Sequence, residues 1–263
     1  WDCEMGLGLP TKVEWTPFEV QDSDGPIGCN YCRHIDFGGA RTLVIMPTYS
    51  ASVRVDLETR IRTNIMMKWI DALTLAGAGV VLMDGVDDLW TLAKWARSGK
   101  DGFAWLTRRI GSVMEESVRR GYGSPDKVLV MGTSRHGYAS LHALANLPQL
   151  AGAVAVQPIV WWPNLEEFLG MEENAIVQRN DLLLWVEHFA PRPLLVQTGY
   201  NDRRAGQKWF GRLLAPVAES YSRTEATEHF THEIMPIRGH GGERMPETYV
   251  ERVVPWLRDR GLV

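Results

Sequence analysis

Residues 128–137, Val-Leu-Val-Met-Gly-Thr-Ser-Arg-His-Gly, constrain this chain more than any other segment. An apolar, β-prone run passes through Gly132 and Ser134 into a stretch of small residues compatible with a helix. A strand that turns into a helix through a single serine is a nucleophile elbow, a turn tight enough to hold the serine Oγ at its apex on a strained backbone. Gly132 suits such a turn because it has no Cβ to clash. A serine hydroxyl is a weak nucleophile at neutral pH. It needs a histidine base, an acid to orient that base, and N–H donors for the oxyanion.

The rest of the chain supplies candidates in a workable order. Residues 193–199, Pro-Leu-Leu-Val-Gln-Thr-Gly, form a short apolar strand followed by Asp202. Residues 233–242 form another strand-like run that ends on His240 between glycines. Sites of open α/β sheets are built where strands end, so Asp202 and His240 are the expected acid and base. Glu166 and Glu167, after the preceding strand, are a second source for the acid.

Three motifs, Gly-Thr-Ser-Arg-His-Gly (132–137), Gly-Tyr-Asn-Asp-Arg-Arg (199–204) and Gly-His-Gly-Gly (239–242), resemble those of the α/β-hydrolase superfamily. The likeness runs to the catalytic domains of the prolyl-oligopeptidase-like group and their esterase relatives. The Ser-Arg-x-Gly portion also resembles that of carbohydrate esterases, glucuronoyl esterases among them. In those the arginine after the serine helps to hold the oxyanion, which implies that role for Arg135. The resemblance covers nearly the whole chain and implies a mainly parallel sheet with helices on both faces. One departure stands at the elbow. The family usually has glycine two places after the serine, whereas this chain has His136 there and glycine one place later, at Gly137.

The order of elements agrees with that fold. Residues 12–37 read as two antiparallel strands around the turn 22–26, and 42–46 as a short buried strand. Leu57, Ile61, Ile65, Trp69 and Leu73 recur every four residues, which predicts a helix over 56–75. A strand at 79–84, a helix at 103–120, the serine strand at 127–131, a helix at 138–147 and a strand at 153–156 follow. Two later strands carry Asp202 and His240, and an amphipathic helix over 247–258 ends the series. Strands alternating with helices imply a mainly parallel sheet covered on both faces. With 263 residues, 45% of them apolar and 23% charged, the chain suits one α/β domain spanning 1–263. Nothing in it matches the propeller of prolyl oligopeptidases.

A net charge of −4 points to no nucleic-acid or anionic-membrane partner. No apolar run approaches the ~20 residues that span a bilayer. No signal peptide is visible, which says nothing of export in a sequence that begins at Trp1 rather than methionine. Cys29 and Cys32 have the spacing of a redox or half-zinc motif, but in a strand such positions point to opposite faces, and no second pair completes a metal site.

Two oxyanion donors can be placed. One is the main-chain N–H of Arg135, next to the nucleophile. The other belongs to the loop after strand 42–46, where Tyr49 holds the matching position and Pro47-Thr48 replaces the His-Gly of many relatives. The long excursion 157–190 is rich in large side chains, and the resemblance implies a lid over the serine. Trp161 and Trp162 follow the strand end closely and are the candidate pocket residues. His136 can touch substrate or fill space beside the elbow. His142 reads as structural. His229 and His232 would point apart in an extended chain, and one of Asp84, Asp87 and Asp88 could reach the pocket.

The expected chemistry is hydrolysis of a small carboxylic ester by Ser134, His240 and Asp202, with no cofactor or metal. A peptidase and a catalytically silent ligand-binding protein are the alternatives. Substrate identity, oligomeric state and compartment stay open.

Overall fold

The structure, a computed structural model, describes residues 12–39, 41–48, 66–200, 202, 204–205, 207–235 and 247–263. Strand β1 (Val13–Asp22) leaves Glu14, Glu19 and Gln21 to solvent and buries Val20, the alternation of a half-covered strand. It turns directly into β2 (Gly25–His34), and the two pair antiparallel from Val13↔His34 to Asp22↔Gly25. Gly25 takes φ +105°, a backbone state that side-chain-bearing residues seldom adopt. Pro17 is tolerated in β1 because that strand lies at the sheet edge, where its missing N–H breaks no second ladder.

Six further strands complete the sheet: β3 (Leu43–Thr48), β4 (Gly79–Asp84), β5 (Val128–Thr133), β6 (Gly152–Val156), β7 (Leu194–Gly199) and β8 (Phe230–Met235). The order is β1-β2-β4-β3-β5-β6-β7-β8. Pairs are parallel from β4 through β8, and β2 meets β4 antiparallel. Every residue of β3, β4, β6 and β7 is buried, as expected of parallel strands covered on both sides.

Seven helices of five or more residues lie among the described residues: α1 (Met66–Leu75), α2 (Leu89–Arg97), α3 (Gly102–Arg119), α4 (Arg135–Asn146), α5 (Ala175–Arg179), α6 (Gln207–Arg223) and α7 (Glu247–Asp259). They divide between two cores. On one face Trp69, Ile70 and Leu73 of α1 and Val253, Trp256 and Leu257 of α7 pack on Val44, Val80, Leu129, Val154 and Leu195. On the other, α2, α3, α4 and α6 cover Ile45, Val81, Val130, Ala155 and Val196. Cys29 belongs to the second core and Cys32 to the first, so the two thiols lie on opposite sides of β2. Burial raises the pKa of both, which removes thiolate reactivity.

The sequence reading and the structure agree on the alternation and differ in particulars. The elbow helix begins at Arg135 rather than 138, and β8 starts at Phe230 rather than 233. Three helices have no counterpart in that reading, the five-residue α5 among them. Helix α2 carries the signal of Asp88, whose carboxylate accepts the Thr91 N–H as N-cap, followed by Leu89, Leu92, Ala93 and Ala96 on one face. Helix α6 holds Pro216 in its interior, a residue that argues against a helix on sequence alone. The first part of the predicted helix 56–75 lies outside the described residues.

The excursion 157–190 contains α5 and short 3₁₀ turns. It is bonded to the body at several points. Arg179 Nε and Asn180 Nδ2 donate to Asp101 Oδ2 at 2.9 and 3.0 Å, and Arg97 Nη2 donates to the Glu167 carbonyl at 2.8 Å. The Tyr138 hydroxyl donates to the Asn180 carbonyl at 2.6 Å. Trp162 and Phe168 join Phe103 and Tyr138 in one aromatic cluster. The segment is thus a wall that shares the body's core. Among the described residues no helix is long and apolar enough to cross a membrane.

Candidate active site

The chain changes direction in the sheet between β3 and β5: β4 lies on one side of β3 and β5 on the other. Such a reversal leaves a crevice beyond the carboxyl ends of the two strands. Here the β3–β5 ladder stops at Ile45↔Val130, and Pro47, which has no N–H to donate, follows two residues later. Ser134 stands at the mouth of that crevice, between β5 and α4.

Its backbone is at φ 58°, ψ −121°, a conformation that costs of order 1–3 kcal/mol outside glycine. The surroundings impose it. Ser134 N–H donates to the Val156 carbonyl at 2.9 Å, and the Ser134 carbonyl accepts from Tyr138 and Ile159 at 3.0 and 3.2 Å. A serine at a helix N-cap ordinarily turns its hydroxyl onto the first N–H groups. Ser134 makes no such bond. Glycines make the turn possible: a Cβ on Gly132 would lie 2.2 Å from the His136 carbonyl oxygen, and one on Gly137 would lie 2.9 Å from that of Val156.

The unusual His136 is accommodated from outside the elbow. Its ring is buried, and its Nε2 accepts the Val86 N–H at 3.2 Å. The space comes from Gly85, where a Cβ would lie 2.5 Å from His136 Nε2 and 2.6 Å from the Thr48 carbonyl oxygen. Gly85 escaped the sequence reading, although a glycine directly after a buried strand is a signal of close approach. Burial lowers the His136 pKa to about 3, so the ring is neutral as the acceptor geometry requires.

Arg135 is the first residue of α4, so its main-chain N–H lies at the positive end of the helix beside Ser134. Its guanidinium reaches the loop after β4, donating from Nε to the Val86 carbonyl at 2.8 Å and from Nη2 to the Asp87 carbonyl at 2.5 Å. Asp84 accepts the Gly28 N–H at 3.1 Å, and Asp88 caps α2.

Asp202 lies beyond β7 and is buried. Its Oδ1 accepts the N–H groups of Arg204 and Ala205 at 2.8 and 3.0 Å, which fixes the carboxylate plane. Adjacent strands sit about 4.8 Å apart, so the ends of β5 and β7 are about 10 Å apart, a gap that one imidazole with a hydrogen bond on each side can span. His240 and Tyr49 lie outside the described residues. Glu167 is buried and accepts from Arg204 Nη2 at 2.6 Å, which ties the excursion to the Asp202 turn, and Glu166 faces solvent.

Of the two tryptophans, Trp161 is half-buried beneath the Arg212 guanidinium, 3.8 Å from its ring centroid. Trp162 sits within the aromatic cluster. It lines a cavity of about 10 Å³ with Val86, Phe103, Arg135 and Tyr138, which is room for one water and not for an acyl chain. Gln157, next to the elbow at the end of β6, is a second strained residue with φ 45° and left no trace in the sequence reading. Among the described residues no group of three His, Cys, Asp or Glu side chains could hold a metal ion.

His142, on α4, bonds Thr107 Oγ1 through Nδ1 at 2.7 Å, and burial lowers its pKa to about 4. His229 Nδ1 meets the Pro191 carbonyl on the surface, whereas His232 Nε2 meets Thr198 Oγ1 within the sheet. An unfolded histidine titrates near about 6.5. His136 and His142 therefore contribute full stability above that pH and lose it as the pH falls towards their folded values, at about 1.4 kcal/mol per pH unit each. Melting temperature should drop steadily between pH 6.5 and 5, and His142→Gln should flatten the slope. A melting temperature constant over that window in the parent protein would contradict this.

No protein-family model and no curated protein sequence matches the chain. Solved structures do match it in fold. A candidate dipeptidyl aminopeptidase IV from Bacteroides ovatus superposes with a TM-score of 0.74 at 12% identity, over 94% of this chain and 36% of that one. A cold-adapted esterase from an Arctic intertidal metagenomic library gives 0.66 at 14% identity, over 95% and 94%. A glucuronoyl esterase from Teredinibacter turnerae gives 0.61 at 14% identity, over 97% and 80%. The chain has the α/β-hydrolase fold. It spans about a third of the length of the Bacteroides protein and nearly the whole of the metagenomic esterase. Within that fold, Ser134 stands at the strand-to-helix turn after β5, and Asp202 follows β7, two places along the sheet.

Proposed function

We propose that the chain is a serine hydrolase that cleaves carboxylic esters through an acyl-enzyme. The observation that carries this reading is the backbone of Ser134. It is held at positive φ by bonds from two neighbouring elements, with its hydroxyl not used to cap the helix it begins. In this mechanism His240 takes the Oγ proton as Oγ attacks the ester carbonyl. The negative Asp202 fixes the imidazole tautomer and stabilises the imidazolium. The main-chain N–H groups of Arg135 and Tyr49 hold the tetrahedral oxyanion, each contributing about 3–4 kcal/mol of barrier lowering. His240 then protonates the leaving alcohol and activates water for deacylation.

The esterases among the structural neighbours are matched over most of their length, whereas the dipeptidyl aminopeptidase and the acylaminoacyl peptidases are matched over less than half. Esterases and peptidases both stand among these neighbours, and ester hydrolysis is the reaction proposed. Trp161, half-buried just after β6, is the residue proposed to contact the substrate.

A chain-length series of p-nitrophenyl esters tests the reading. Turnover is expected, with a preferred acyl length that measures the pocket. Asp202→Asn should lower kcat by about 10³- to 10⁴-fold, because the asparagine stabilises the wrong imidazole tautomer. Labelling by a fluorophosphonate without hydrolysis of any ester would move the assignment to a peptidase. Neither labelling nor hydrolysis would leave a silent binding protein.

A further inference from the structure

We propose that His136 is a positioning residue whose Nε2, through Val86 and Gly85, couples the nucleophile elbow to the end of β3 and so holds Ser134 and the Arg135 main-chain N–H in register with that strand end. This inference rests on the serine-hydrolase reading above. The path is continuous in hydrogen bonds and contacts. The Val86 N–H donates to His136 Nε2 at 3.2 Å, and the Gly85 N–H donates to the Thr48 carbonyl at 2.7 Å. Thr48 is the last residue of β3 and immediately precedes Tyr49. From the other side, Arg135 grips the same loop through the Val86 and Asp87 carbonyls. The two residues that follow the nucleophile therefore hold one loop, by its N–H through His136 and by its carbonyls through Arg135.

The physical need is clear. The Arg135 donor begins helix α4, and the end of β3 lies on a separate segment of the chain. The β3–β5 ladder ends at Ile45↔Val130, so beyond it the sheet no longer fixes the spacing of the two strands. A bridge across that opening must be short, rigid and unable to change charge. A neutral imidazole meets these requirements. Gly85 shows the fit from the opposite side: any Cβ there would collide with both His136 Nε2 and the Thr48 carbonyl. His136 and Gly85 are thus matched, which explains a bulky residue at a position where the elbow usually has glycine.

Two replacements of similar size separate the hydrogen bond from simple space filling. His136→Gln places an amide oxygen as many bonds from Cα as Nε2, and His136→Met fills the volume without a comparable acceptor. With the preferred p-nitrophenyl ester, Gln should keep kcat within about 3-fold. Met should lose about 10²-fold in kcat with KM within about 2-fold, the cost of a misplaced transition-state contact. Melting curves exclude loss of fold as the cause. Equal kcat for Gln and Met, or an effect on KM alone, would overturn the inference while leaving the hydrolase reading intact. A wild-type protein that neither hydrolyses esters nor takes a fluorophosphonate would overturn both.

Discussion

Ser134→Ala is expected to lower kcat for ester hydrolysis by about 10⁴- to 10⁶-fold and to leave the fold unchanged. The size of the effect follows from covalent catalysis. Without Oγ no acyl-enzyme can form, and what remains is the modest acceleration from binding and oxyanion donors. Alanine can keep the φ of 58° because the bonds that impose it come from the backbone of Ser134 and not from its side chain. Activity and stability are therefore expected to part, with the melting temperature within a few degrees of the parent. The check is steady-state hydrolysis beside fluorophosphonate labelling of both proteins. Residual hydrolysis above about one part in a hundred would show that another nucleophile carries the reaction, and the elbow would lose its assignment.

Gly132→Ala should be the most damaging single methyl in the described part of the chain. The added Cβ would lie 2.2 Å from the carbonyl oxygen of His136 and 2.4 Å from its carbonyl carbon. Both are backbone atoms in the first turn of α4, so no side chain can rotate away. Either β5 or the helix must shift, and both hold Ser134. A cost of about 3 kcal/mol is expected, or roughly 6–12 °C in melting temperature for a chain of this size. Activity should fall further than stability, because the shift displaces the nucleophile itself. Gly211→Ala on α6 is the matched control, since a Cβ there meets nothing within 4 Å. It should be neutral or slightly stabilising. If both alanines behaved alike, the crowding at the elbow would be illusory.

These two expectations draw on different sources. That Ser134 stands at a strand-to-helix turn is legible in the run 128–137, because strand-forming and helix-forming residues meet there at one serine with glycine two places before it. Why His136 fits is not legible there. The answer is Gly85, fifty-one residues earlier and brought in by the pairing of β3 with β4. Likewise, the sequence separates Glu167 from Asp202, and only the fold sets Arg204 between them, bonding one through its guanidinium and adjoining the other through its N–H. Trp161 and Trp162 are neighbours in the chain with the same chemistry. One is half-buried against Arg212 and the other is sealed in an aromatic cluster, a difference that alternation after a strand does not encode.

By itself the sequence determined the class of fold, the alternation of strands and helices and the position of the elbow. These depend on local pattern: apolar runs, four-residue periodicity, and small residues where the chain must turn. Tertiary structure alone decided what surrounds the elbow, which of the two adjacent tryptophans is sealed in the core, and how the loop after β4 is gripped from both sides. Those outcomes depend on contacts between segments distant in sequence, where fractions of an ångström at Gly85 and Gly132 settle whether a side chain fits.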